Sequence, residues 1–509
     1  MSFRAGTLAV TLWTTVLAAL GCSPDHPGKR GKQCVSDADC GSLACIAEPQ
    51  KTPEDLAALP LACDTPADAR APHEACERGD QCALGVCLLA GACARPCAND
   101  DDCEAREECA PVYARTSSDA LQTLHACVSL VDLPAGTTID IRVDEQVLQN
   151  AARSLKLSKV APPTLFVFEH LDDHSWPLSG STCRPPLCAK KLEVAAAGGA
   201  TLFDADAVSD DPAGPLNPIA EGDHVSPVTL LLPNGPRAPL SDAGYTMSFE
   251  RQEPGRLRVT RLHREQVGHQ LDLNLYFVGA NGLAAEGDRG PAFIADALDE
   301  VDGILAQADI FLGDVRQVDV TGKLLDEGTP IDAVTVAKGF SHIKPQYAVY
   351  PELPELWKLS AGASNVALDI FFVADIEMRN SDGGDVGGIS GGTPGPLGMH
   401  GTAGSGIAIS TDMMTASGDP RRLGRTLAHE IGHMLGLFHP TEITGIVFDP
   451  LPDTPVCGAE RDDNNDGILD ASECQDAGAD NLMFPTTETS STKLTEQQRD
   501  VLRSAILLQ

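Results

Sequence analysis

At positions 426–439 the chain reads TLAHEIGHMLGLFH, three histidines and one glutamate set into an otherwise largely apolar run. Imidazole and carboxylate are the side chains that hold divalent metals and move protons near neutral pH, so their spacing decides what they can do together. On a helix of 3.6 residues per turn, His429 and His433 share one face a turn apart, while Glu430 points about 100° round from His429. Gly436 permits a left-handed bend that ends the helix and returns His439 toward the same point. Three imidazoles with a fourth position left open form the pattern of a catalytic zinc, because a structural zinc closes that position with a protein ligand. Zinc held there lowers the pKa of a water to about 7 and polarises a peptide carbonyl. Glu430, as general base, takes the water's proton and hands it to the leaving amine, which makes the expected reaction hydrolysis of a peptide bond. The plainer alternative is a helix whose histidines only satisfy hydrogen bonds in a core. A purely structural site has no need of Glu430 beside the ligands.

The elements that must position these residues can be read around them. Asp419 and Pro420 are an N-cap and a first-turn proline, so a helix is expected from about Arg421. Upstream, LDLNLYFV alternates Leu271, Leu273 and Leu275 as a strand. Ile294, Leu298, Val301, Leu305 and Ala308 then recur at helical spacing, and VALDIFFV restores a buried strand. This succession predicts an α/β (α+β) unit over residues 263–509. The segment GGDVGGISGGTPGPLG at 383–398 has neither the lysine ending nor the glycine spacing of a phosphate cradle, and reads as a flexible loop.

HEIGHMLGLFH resembles in full the extended zinc signature of the metzincin metalloproteases. The resemblance implies His429, His433 and His439 as zinc ligands, Glu430 as general base, and a mixed twisted sheet carrying the zinc helix. NLMFP at 481–485 is similar to the Met-turn of that family, with Met483 beneath the ligands. DTPVC at 453–457, a second cysteine at Cys474, and LTEQQRDVL resemble most the pappalysin-type branch, over roughly residues 265–509. In this family a strand just before the zinc helix edges the cleft. GIAIS, that is Gly406, Ile407, Ala408, Ile409 and Ser410, stands in that place, where an extended peptide would add by main-chain hydrogen bonds; an ordinary edge strand is the alternative. Two residues depart from the family: Pro485 stands where many members have a tyrosine, and Pro440 after His439 looks more like the serralysin-type branch.

Between Cys457 and Cys474, expected to be bridged, lies DDNNDGILDASE. Asp462, Asn464, Asp466, Asp470 and Glu473 occupy ligand positions 1, 3, 5, 9 and 12 of a calcium loop. Gly467 sits at position 6, and Ile468 offers its carbonyl at position 7. Pro450, Pro452 and Pro455 break the stretch where an entering helix would lie, so a solitary structural calcium loop is expected, against a merely solvated acidic segment.

The rest of the chain sets the surroundings. At 509 residues it is multidomain, and a net charge of −36 argues against nucleic acid as a partner. Residues 1–21 read as an export signal, with ALGC resembling a bacterial lipobox that would make Cys22 the lipid-bearing residue and 22–33 a tether. Plain secretion, with cleavage near Ala18 or Ala19, is the alternative. Location at the outer membrane or cell surface, or secretion, follows, with a membrane touched only through that anchor. The other sixteen of the seventeen cysteines are an even set in an exported chain, which favours disulfides over zinc knuckles. Twelve of them, between Cys34 and Cys127, form three four-cysteine modules over 34–127, a spacer or a binding array. Residues 128–262 read as an all-β middle domain, accessory or propeptide, with YTMSFERQEPGRLRVT as a hairpin turning at Pro254 and Gly255, and with Cys183 and Cys188 paired around a short loop. The function expected is a zinc endopeptidase acting on a protein or peptide. A surface adhesin with structural metals is the competing class.

Overall fold

The computed structural model describes residues 44–47, 61–64, 69–104, 107–115 and 121–129, the strands between 139 and 264 given below, and, with short breaks, 266–320, 352–376, 386–411, 418–486 and 491–509. Cys22, Cys183 and Cys188, with the lipid anchor and the bridge expected of them, lie outside the described residues. The chain is multidomain and sheet-rich with few helices, and its N-terminal region is rich in disulfides.

The C-terminal unit is built on a five-stranded mixed sheet. Its strands are β1 (Gln270–Val278), β2 (Phe311–Asp319), β3 (Leu368–Val373), β4 (Gly388–Ser390) and β5 (Gly406–Ser410), in the spatial order β2-β1-β3-β5-β4. The first four in that order run parallel, and β4 is antiparallel to β5. Period-2 alternation assigns the two faces. Leu271, Leu273, Leu275, Phe277, Ile370, Phe372, Ile407 and Ile409 point into the main core with helix α1 (Ala292–Leu305) and helix α3 (Pro420–Met434), which carries His429 and His433. On the other face Tyr276 stacks on Phe371 at 4.7 Å between ring centres, and Trp357 meets Phe371 edge-on at 5.2 Å. Trp357 ends the short helix α2 (Glu352–Trp357).

The pairing corrects two readings of the sequence. Gly406–Ser410 is not an edge strand: β3 takes one side of it and β4 the other. The edge is Gly388–Ser390, which lies inside the glycine-rich segment read as a flexible loop. A three-residue strand containing glycine has too little β propensity to be seen as a strand, and sheet order is set by partners distant in sequence. These glycines serve close approach of one chain segment to another: a Cβ at Gly391 would fall 2.1 Å from the Gly404 carbonyl oxygen.

The middle region forms two four-stranded antiparallel sheets. One holds 201–204, 189–196, 245–251 and 153–157; the other holds 228–232, 164–170, 255–264 and 139–148. TIDIRV, TLFVFE and VTLLL all give strands of the second sheet. The hairpin expected at Pro254 and Gly255 is corrected. Tyr245–Arg251 pairs with Ala189–Ala196 and Arg153–Leu157, whereas Gly255–Arg264 pairs with Ile139–Leu148 and Thr164–His170. The chain therefore passes from one sheet to the other between Arg251 and Gly255. Alternation identifies a strand but not its partner. Leu165, Val167, Leu231 and Leu262 from the second sheet enter the same core as helix α3, and Arg264 Nη1 donates to the Ile506 carbonyl at 3.1 Å.

Two cysteine modules pair identically, first to third and second to fourth: Cys76–Cys87 with Cys82–Cys93, and Cys97–Cys109 with Cys103–Cys127. They do not stand off as a spacer. Leu88 and Val128 pack with Ala361, and Leu89 and Tyr113 join the aromatic cluster of Tyr276, Trp357 and Phe371, so the modules cover the face of the main sheet opposite α1 and α3. Among the described residues no helix is long and apolar enough to cross a membrane.

Candidate metal centre

Helix α3 starts where the sequence places it. The Asp419 side chain accepts the Arg421 main-chain N–H at 3.0 Å, and Pro420 occupies the first turn, where its missing N–H costs nothing. The helix stops in a glycine C-cap. Gly436 has φ 111°, its N–H donates to the His433 carbonyl, and the Leu437 N–H donates to the Gly432 carbonyl at 2.8 Å. Two residues later the chain has turned back on the helix and His439 faces it.

The result is a convergence of three imidazoles. The Nε2 atoms of His429, His433 and His439 are separated by 3.2, 3.1 and 3.0 Å. Each ring has a partner on its other nitrogen: His429 Nδ1 faces the Leu482 carbonyl at 2.8 Å, His433 Nδ1 the Leu437 carbonyl at 2.7 Å, and His439 Nδ1 the Glu442 carboxylate at 3.0 Å. A carbonyl or carboxylate can only accept, so Nδ1 carries the proton in each ring and Nε2 of a neutral ring is left with its lone pair. Three lone pairs at this distance repel one another unless a cation lies among them. Zinc–nitrogen bonds of about 2.0–2.1 Å at tetrahedral corners would hold such atoms roughly 3.3–3.4 Å apart, close to what is seen. Burial pushes the His429 imidazole down to about 3, with His439 acting in the same sense and the Leu482 carbonyl opposing. Burial, then His439 and His429, holds His433 well below the ordinary range. Neutral imidazole is the form that ligates. The donor set and its geometry fit a divalent metal.

Glu430 is buried beside the three histidines, against the edge strand. A Cβ at Gly388 would fall 2.7 Å from Glu430 Cγ, so only glycine lets β4 pass this close, and the Ser390 main-chain N–H bonds the carboxylate. Burial pushes the Glu430 carboxyl up to about 7, against the opposing influence of His439 and of that N–H.

Met483 is fully buried beneath the helix. Its sulfur lies 2.5 Å from where a Cβ at Gly432 would stand, so the glycine between the ligands admits the thioether. The turn holding Met483 is fastened from α4 (Glu496–Arg503). Gln498 exchanges hydrogen bonds of 2.8 and 3.1 Å with the Asn481 side chain, and Asn481 Oδ1 accepts the Met483 N–H at 2.9 Å. The segment LTEQQRDVL thereby acts on the site: Thr495 and Gln498 form a capping box that starts α4, and Gln498 then reaches the turn. Pro485 lies just beyond the turn and carries no hydroxyl.

The Cys457–Cys474 bridge is formed and encloses the acidic loop. Within it, the Asp462 carboxylate accepts the Asp466 and Gly467 N–H groups at 3.2 and 2.9 Å, and Glu473 accepts those of Asp463 and Asp470 at 2.9 and 3.1 Å. Gly467 has φ 85°, the turn that position 6 requires. A single 3₁₀ turn, Ala459–Arg461, precedes the loop where an entering helix would stand. Among the described residues, the histidine, cysteine and carboxylate groups whose ligand atoms lie within 4.8 Å of one another are His429, His433 and His439 and two cysteine sets. The cysteines are bridged, and the 462–473 carboxylates do not converge in this way.

Three features escaped the sequence: Gly388 on the true edge strand, Gly432 over Met483, and Glu442 on His439. Only Glu442 left a signal, a carboxylate three residues beyond a ligand-type histidine. No family model and no curated protein matches this chain.

Proposed function

We propose that this chain is an exported zinc-dependent endopeptidase with a catalytic unit of metzincin type. The observation that carries the reading is the convergence of three bare imidazole nitrogens with the buried Glu430 between them and an antiparallel edge strand. Zinc bound there would supply an acidified water and a polarised substrate carbonyl. Glu430 takes a proton and returns it to the leaving amine. His429, His433 and His439 present their nitrogens in one fixed tautomer, and Met483 forms the floor beneath them. Gly388–Ser390, in place of Gly406–Ser410, is the edge at which an extended peptide would add by main-chain hydrogen bonds, and the Ser390 N–H there is shared with Glu430. A cleft edged by a strand holds substrate on both sides of the scissile bond, so internal cleavage is expected. Digestion of an unfolded protein, mapped by mass spectrometry, should give internal fragments, stop with a chelator and resume with zinc. Products confined to terminal residues, or chelator-insensitive cleavage, would contradict this.

Calcium at 462–473 is part of the proposal. Asp462, Asp466, Asp470 and Glu473 place four acidic side chains on one bridged loop, and a calcium ion would draw them together. Leu469 and Phe484 pack together with the Cys457–Cys474 bridge, so the loop is tied to the turn of Met483. With zinc held constant, added calcium should raise Tm, with affinity of about 10⁻⁴ to 10⁻³ M, as in extracellular modules. Equal melting with and without calcium would leave a solvated acidic segment.

A further inference from the structure

His429 and His433 are oriented by main-chain carbonyls that come with the fold, Leu482 from the methionine turn and Leu437 from the helix C-cap. His439 has no such support. It lies beyond the end of α3, and its Nδ1 partner is a side chain, the Glu442 carboxylate, at 3.0 Å. Glu442 is itself held in a short, well-tied turn. Its N–H donates to the Val447 carbonyl at 2.9 Å, its carbonyl accepts the Gly445 N–H at 2.8 Å, and Thr441 and Phe448 bridge across the turn. The turn is in turn fastened to the bridged segment: the Cys457 N–H donates to Thr441 Oγ1 at 2.9 Å, the Ala459 N–H to the Gly445 carbonyl at 3.0 Å, and the Leu469 N–H to the Ile443 carbonyl at 2.7 Å.

We propose that Glu442 is a positioning residue of the metal centre: by accepting the Nδ1 proton of His439 it fixes the ring's rotation and the tautomer that leaves Nε2 bare. The inference rests on the reading of His439 as a metal ligand. A carboxylate behind an imidazole also raises that ring's basicity toward a cation, and partners of this kind are worth about 10–100-fold in metal affinity. It further gives the 441–448 turn and the Cys457–Cys474 segment a route to the metal, since both fix the main chain from which the Glu442 side chain reaches His439.

The test is zinc affinity by competition against a chromogenic chelator, together with Tm of the metal-free protein, for wild type, Glu442→Ala and Glu442→Gln. Zinc affinity of Glu442→Ala should fall about 10–100-fold with the metal-free Tm unchanged. Glu442→Gln keeps an accepting oxygen and should recover part of the loss. Wild-type zinc affinity in Glu442→Ala would overturn the proposal and leave the zinc reading standing. A metal-free Tm that falls along with affinity in both variants would make Glu442 a brace of its turn and equally overturn it. A wild-type protein that does not bind zinc would remove the zinc reading itself.

Discussion

Replacing Glu430 with alanine is expected to lower peptide hydrolysis by about a hundredfold or more while zinc stays bound. Proton transfer by a positioned carboxylate contributes on the order of 10²–10⁴-fold to such reactions. Metal retention follows from the geometry: the rings of His429, His433 and His439 are oriented by Leu482, Leu437 and Glu442, none of which depends on Glu430. The side chain contacts β4, through Gly388 and the Ser390 N–H, so its removal empties a space beside that strand. Cleavage rate and zinc stoichiometry of the purified variant read the two halves separately. Wild-type turnover would refute the general-base assignment, and loss of zinc would make Glu430 part of the binding site.

Leu231→Ala should destabilise the C-terminal unit by about 2–5 kcal/mol, although the residue lies in the middle region. Leu231 is 1% exposed and shares a core with Leu427, Ile431 and Leu435, on and just beyond helix α3. Its Cδ2 approaches within 3.4 Å of the point where a Cβ would stand at Gly436, the residue that turns the chain back toward His439. Thr229 of the same strand bonds the Pro394 carbonyl. Shortening Leu231 opens a cavity where the middle sheet braces that turn. Denaturant unfolding followed by a probe in the C-terminal unit reads the loss. A change within about 0.5 kcal/mol of wild type, the range of an ordinary surface substitution, would mean that the middle strands are separable. Residues 128–262 are thus expected to stay with the C-terminal unit as an accessory region: removing them would take Leu165, Val167, Leu231 and Leu262 out of a common core.

What the sequence made legible is what local geometry controls. His429, Glu430 and His433 lie within one turn of one helix, and Asp419, Pro420 and Gly436 are terminus signals that act over two or three residues. The buried runs of β1 and β3 were readable for the same reason, as was the helix of Ile294, Leu298, Val301 and Leu305. What was hidden depends on partners far away in the chain. That Gly406–Ser410 is internal and Gly388–Ser390 is the edge is decided by pairing across the sheet, and the Tyr245–Arg251 strand finds its partners at 189–196 and 153–157 instead of its neighbour. Cysteine spacing marks modules, but four cysteines allow three connectivities, and only the fold selects the first-to-third, second-to-fourth pattern. The acidic loop has complete ligand spacing, yet spacing does not make carboxylates converge.

The most direct measurement is diffraction from crystals of the zinc-loaded protein on either side of the zinc absorption edge. One anomalous peak is expected within about 2.0–2.1 Å of Nε2 of His429, His433 and His439, and it should disappear in His433→Ala. No peak at these nitrogens, or a peak that survives His433→Ala, would contradict it.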